Sequence, residues 1–369
     1  MLPLDMPGAS PRAKFLALSV LMLLGTASGL GIWRLFLRPR LNFPRSETDY
    51  YVNDPALGHR HRPYARREVA WPEHPQGRIV MRTNNLGMRN DQDVEVRKPD
   101  GTFRILVVGD SHFDGVVYNS ESFAAVLETL LSQDSGKRRC QVLNVSAGYY
   151  GPDHYLASLR ACRNLDPDLV VVGFYTGNDF LDAAKYVEER LVGPLERPRD
   201  YALKLREANK RHSGAVAQLL NQAYYLKTFP EVKAAVLDLV ERVFVEMKHA
   251  AQSGDFLLSV ILIPTKWDVE PSPLMPVLDE IVTLLGLSRR DLQSASEAGS
   301  ELKRRLEREG ILCWDPASEM KRRQPPFFWS RDFHLNVTGH RLLAELYAAG
   351  PVHQLLNAGT RPPAAAPGR

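Results

Sequence analysis

The stretch "ILVVGDSHFDG", Ile105 to Gly115, decides the fold. Four apolar residues, three of them β-branched, run into Gly-Asp-Ser. Such a run bounded by turn residues reads as a strand buried on both faces, as in a parallel sheet. A parallel sheet needs crossover connections, and the chain supplies them. After Ser111, residues Phe123, Val126, Leu127, Leu130 and Leu131 share one helical face. Further strand-like runs follow in "CQVLNV", "PDLVVVGFY", "FLLSVILIP" and "GILCW", separated by helix-like segments, and "VTGHRLLAELYAA" reads as a closing helix. The alternation predicts a doubly wound, mostly parallel five-stranded sheet in a three-layer α/β/α, flavodoxin-like arrangement.

In such a sheet, ligands bind beyond the carboxyl ends of the strands, near a topological switch point. Ser111 follows the first strand, Gly148 the second, and Gly177, Asn178 and Asp179 the third. Asp332 and His334 stand just before the last helix. All of them converge on one rim. A serine hydroxyl becomes a nucleophile when a base lies within hydrogen-bond reach and a third group orients that base. His334 is the candidate base and Asp332 its partner. In an extended segment residues two apart point to the same side, although local bending must bring this pair into contact. Asn336 is placed to cap the closing helix. For an oxyanion, the donors available are the backbone N–H of Ser111, a backbone N–H at or beside Gly148, and the amide of Asn178. Asp110 and Asp179 read as supporting residues that bond loop backbone.

The blocks "GDSH", "NVSAGYYG", "GFYTGNDF" and "DFHLNVTGH" resemble, in order, the four blocks of the SGNH (GDSL) esterase and lipase superfamily. The resemblance covers about Arg104 to Leu346. The lead-in "NNLGMRND" and the run "ILIPTK" are similar to its membrane-associated bacterial branch. The resemblance implies serine-dependent acyl-ester chemistry with no cofactor and no metal. It also implies Ser111 as nucleophile, His334 and Asp332 as its triad partners, and Gly148 and Asn178 as oxyanion donors beside Ser111. Three positions depart from the pattern. His112 stands where leucine is common. The block-two glycine is expected at Tyr149, between Gly148 and Gly151. The last block is Asp-X-His rather than Asp-X-X-His, a form associated with polysaccharide acetylation.

Other readings bound the function. The 47 basic and 43 acidic residues of the 369-residue chain leave a net charge of only +4, which argues against nucleic acid as a partner. Cys140, Cys162 and Cys313 form neither a disulfide framework nor a zinc pattern. His59 and His61 in "GHRHRP" read as a solvated loop, and His340 as packed or capping. Tyr149, Tyr150, Tyr175 and Trp267 are candidates for a pocket wall or for packing. No GxGxxG or Walker-type loop accompanies the sheet.

Residues 1–14 form an N-terminal tail. "FLALSVLMLLGTASGLGIW" has about 19 uncharged residues, enough to span a bilayer, and 15–37 is read as an uncleaved signal anchor. A signal peptide cut near "TAS" is the alternative. This predicts a single-pass membrane protein with a periplasmic domain, although Arg34, Arg38, Arg40 and Arg45 follow the segment on the side that the positive-inside rule assigns to the cytoplasm. Residues 38–100 are an extended lead-in, 101–355 the main domain with a helical insertion at 201–250, and 356–369 a disordered tail. The expected activity is hydrolysis of an acylated carbohydrate or lipid-like ester. O-acetyl transfer within a cell-envelope polysaccharide pathway and a non-catalytic binding protein of the same fold are the rivals.

Overall fold

The computed structural model describes residues 49–134, 139–270, 279 and 282–358. The apolar segment at 15–37 and most of the tail lie outside the described residues. Among the described residues, no helix is long and apolar enough to cross a membrane.

Five parallel strands form the central sheet: β5 (Thr102–Gly109), β6 (Arg139–Asn144), β7 (Leu169–Tyr175), β8 (Leu257–Ile263) and β9 (Leu312–Trp314), in the order β6-β5-β7-β8-β9. This matches the sequence expectation. Every residue of β5 and of β7 is buried, because helices cover both faces of the sheet. Side chains alternate between the faces with period two. Ile105, Val107, Val142 and Val171 pack against α2 (Phe123–Asp134) and the closing helix Val337–Tyr347. Leu106, Val108, Val170 and Val172 face the other helical layer, which includes Pro152–Cys162, Asp179–Val187, Pro230–Gly254 and Ser294–Arg308. The chain leaves β5 towards β6 on one side and returns to β7 on the other. The switch point therefore lies between the carboxyl ends of β5 and β7.

Of the helical stretch 201–250, the long helix Pro230–Gly254 belongs to the sheet's own covering layer, with Val236, Val240 and Phe244 in the main core. Tyr201–Arg211 and Gly214–Thr228 instead gather a separate cluster around Leu219, Leu220 and Tyr224, and Phe333 joins it.

The lead-in is more structured than its composition suggests. It forms two antiparallel hairpins, β1 (Tyr51–Asp54) with β2 (Gly58–His61), and β3 (Arg66–Ala70) with β4 (Arg78–Arg82). Arg104 on β5 is fully buried and binds it to the sheet, donating to the carbonyls of Glu95 at 3.0 Å and Val96 at 3.1 Å.

Candidate active site

At the end of β5, Asp110 caps a single helical turn, α1 (Ser111–Asp114), by accepting the His112 N–H at 2.8 Å. The turn sits tightly on the sheet because Gly173 has no side chain. A Cβ there would come within 2.5 Å of the Phe113 ring. Ser111 is thus presented at the switch point, and its Oγ lies 2.8 Å from His334 Nε2 across 223 residues of sequence. His334 Nδ1 is hydrogen-bonded to Asp332 Oδ1. The backbone N–H of His334 also donates to that oxygen at 3.2 Å.

The bend anticipated between Asp332 and His334 is located at Phe333, whose φ is +67°. For a bulky residue the left-handed region costs on the order of 1–2 kcal/mol, so the surroundings must impose it. They do so from several sides. Trp329 N–H donates to the His334 carbonyl at 2.9 Å. Lys266 Nζ donates to the Trp329 carbonyl at 3.0 Å and lies 5.0 Å from the Phe333 ring centroid. Asn336 caps the closing helix by accepting the Gly339 N–H at 2.9 Å, as its position suggests. His340 is buried in that helix, where its Nδ1 accepts the Phe123 N–H at 3.2 Å, a packing role.

Burial works against a charged imidazole at His334. The Asp332 charge and hydrogen bond outweigh it and hold His334 above the ordinary histidine value. Burial likewise opposes the Asp332 carboxylate, but His334 keeps it below its ordinary value. His112 is buried and stacks on Tyr175, with ring centroids 3.6 Å apart, and lies 4.8 Å from the His334 ring. Burial first, and the neighbouring His334 and His340 next, keep His112 uncharged. It forms packing around the base.

The supporting carboxylates hold the third strand's loop. Asp179 accepts the Tyr175 N–H and the Tyr155 hydroxyl, both at 2.8 Å. Burial opposes the Asp110 carboxylate, and the nearby Asn178 side chain acts in the opposite direction. Burial raises both Asp110 and Asp179 above the ordinary carboxylate range.

The structure gives the Gly148 amide a partner and corrects one sequence reading, that of His59 and His61. The Gly148 N–H donates to Asp114 Oδ2 at 3.1 Å, so this amide is committed to a carboxylate. The glycine is explained by close packing, since a Cβ at 148 would lie 2.9 Å from the Tyr51 hydroxyl. The neighbouring Tyr149 has φ +66° and lines the same cavity as Ser111 and His334.

The correction concerns His59 and His61, which are buried rather than solvated. On β2 they occupy one face, with the less buried Arg60 between them. His59 Nε2 is 2.7 Å from the Gly148 carbonyl, and His61 Nε2 is 3.3 Å from Asp114 Oδ2. Arg89, in the "NNLGMRND" lead-in, is buried as well. It donates to Asp114 Oδ1 at 3.0 Å, to Asn119 Oδ1 at 3.1 Å, and to the Gly115 and Val117 carbonyls at 3.1 Å each. Against the cost of burial, His61 and Arg89 hold the Asp114 carboxylate down at about 2. The alternation of "GHRHR" was the signal that could have identified a strand with its histidines inward.

A cavity of about 1330 Å³ covers these groups. Ser111, Asn178 and His334 line it, together with Val69, Trp71 and Met81 of the lead-in. Tyr149 and Tyr175 are wall residues. Tyr150 is buried and donates its hydroxyl to the His59 carbonyl at 2.8 Å, and Trp267 packs against the separate helical cluster.

No model of a protein family matches the chain, and no curated protein matches it. Solved structures do. The chain is similar to the acetyl xylan esterase AlAXEase, at 10% identity over 67% of this chain and 100% of that one, with a TM-score of 0.40. It is also similar to TesA, at 13% identity over 68% and 99%, TM-score 0.38. A lipase/acylhydrolase from Enterococcus faecalis shares 13% identity over 68% and 96%, TM-score 0.37. Similarities of this size do not transfer an activity, and the functional reading rests on the residues of this chain.

Proposed function

We propose that the chain is a serine-dependent ester hydrolase of the SGNH type that forms an acyl-enzyme on Ser111. The observation carrying this reading is the hydrogen-bonded series Ser111, His334, Asp332 at the sheet's switch point. Ser111 Oγ attacks the ester carbonyl carbon while His334 Nε2 takes its proton, and Asp332 fixes the imidazole and stabilises its charged form. The Ser111 N–H, the Tyr149 N–H and the Asn178 amide receive the oxyanion. As the tetrahedral intermediate collapses, His334 returns the proton to the departing alcohol. Water, deprotonated by the same histidine, then releases the acid.

The proposed substrate is an O-acyl group on a carbohydrate or a lipid-like ester. The cavity supports this with apolar walls at Val69, Trp71 and Met81 and with charged groups at Asp153, Lys185 and Glu189. The apolar segment at 15–37 is proposed to anchor the domain on the extracytoplasmic side. Protease accessibility in intact cells tests that placement.

Turnover of activated acetyl esters, with and without a polysaccharide acceptor, tests the hydrolase reading. Ser111-dependent hydrolysis without acceptor is expected. Acetylation that requires the acceptor, with negligible hydrolysis, would establish a transferase instead.

A further inference from the structure

The loop after β6 is held at both peptide groups flanking Gly148, one by the nucleophile turn and the other by the lead-in. The peptide before it presents the Gly148 N–H to Asp114 Oδ2 at 3.1 Å. The peptide after it presents the Gly148 carbonyl to His59 Nε2 at 2.7 Å. A carbonyl oxygen only accepts, so His59 is the donor and carries its proton on Nε2. A trans peptide is planar, with its C=O and N–H directed oppositely. The N–H sharing a peptide group with the Gly148 carbonyl is that of Tyr149. Fixing this carbonyl therefore fixes the direction of the Tyr149 N–H.

We propose that His59 is a positioning residue for the oxyanion site: its hydrogen bond to the Gly148 carbonyl orients the peptide whose other end, the Tyr149 N–H, receives the developing negative charge. The inference rests on the Ser111 acyl-enzyme reading. The setting of His59 suits the role. Its side chain is buried between Tyr51 and Tyr150, with ring centroids 5.3 and 5.0 Å away. Tyr150, on the same loop, donates back to the His59 carbonyl at 2.8 Å, so the strand and the loop hold each other in register. Burial brings the His59 imidazole down to about 4, which keeps it neutral near neutral pH, and the bond to the Gly148 carbonyl selects the tautomer protonated on Nε2. The left-handed backbone of Tyr149, φ +66°, is a conformation that needs such outside support. The lead-in thus helps to build the site, through β2, rather than only covering the sheet.

The test uses His59→Leu, which removes the donor, and His59→Gln, whose side-chain amide can replace it. Steady-state hydrolysis of an activated acetyl ester should show kcat lowered at least about tenfold in His59→Leu, with KM within about twofold of wild type. His59→Gln should recover most of kcat. Crystal structures of the three proteins give a readout independent of turnover: the Gly148–Tyr149 peptide should be rotated in His59→Leu and retained in His59→Gln. An unrotated peptide in His59→Leu, or wild-type kcat in that variant, overturns the proposal. Equal loss of kcat in both variants, accompanied by equal loss of thermal stability, overturns it in favour of a packing role. A wild type lacking Ser111-dependent turnover overturns the acyl-enzyme reading and the catalytic part of this one, while the structures still decide whether His59 sets the peptide.

Discussion

Asp332 and His334 share a hydrogen bond although only one residue separates them, and the left-handed backbone of Phe333 forms the bend between them. Two side chains on an extended segment would be parallel neighbours. The bend lets the carboxylate meet Nδ1 while Nε2 reaches Ser111. A shorter spacing than Asp-X-X-His therefore yields the same chain of contacts.

This pair sets the pH dependence. His334 must be neutral to accept the Ser111 proton, and its value lies above the ordinary 6.5 because Asp332 outweighs burial. The neutral form consequently develops as pH rises past 6.5. The profile of kcat/KM should rise with pH along a limb whose midpoint exceeds 6.5. Asp332→Asn should lower kcat by roughly two to four orders of magnitude. A midpoint below the ordinary histidine value would contradict the assignment of the base.

Arg89 and Asp114 form a buried ion pair that locks the lead-in to the nucleophile turn. Removing one member of such a pair leaves an uncompensated buried charge. Arg89→Met is expected to lower unfolding stability by about 3–5 kcal/mol. Urea denaturation measures it, and a loss below about 1 kcal/mol would place the pair among those of little energetic consequence.

Gly173→Ala tests the packing beneath Ser111. Its Cβ would lie 2.5 Å from the Phe113 ring, two residues beyond the nucleophile. Overpacking of this kind costs about 1–3 kcal/mol, and because the turn must shift, kcat should fall as well. Thermal unfolding and ester turnover, measured on the same preparation, should both decline.

Asp110 gives a stability prediction with a definite sign. Burial raises it from the ordinary 3.8 to about 7. The folded protein thus holds a proton over a range where the unfolded chain has released it. The stability this residue contributes is lost as pH rises from 3.8 towards about 7. Relative to wild type, Asp110→Asn should gain stability across that interval and level off above it. A difference in Tm that does not change with pH would contradict the raised value.

Much of this arrangement is legible in the sequence because its causes are local. Runs such as Ile105 to Val108 are apolar on both faces, as a covered parallel strand requires, and Ser111 and Asn178 follow the ends of such strands while His334 stands just before the closing helix. The roles of His59, His61 and Arg89 arise from long-range packing. These polar residues are buried because Asp114 and the Gly148 peptide wait for them on another part of the chain. Spacing likewise left the block-two donor among Gly148, Tyr149 and Gly151. The Gly148 N–H is bonded to Asp114, a contact that no one-dimensional pattern records.

The central claim is that Ser111 is the nucleophile, and covalent labelling tests it most directly. Incubation of folded wild type and Ser111→Ala with a fluorophosphonate, followed by peptide mapping, should show stoichiometric modification of Ser111 and none in the variant, with ester turnover lost in parallel. A folded wild type that remains unlabelled, together with unchanged ester turnover in Ser111→Ala, would contradict the account.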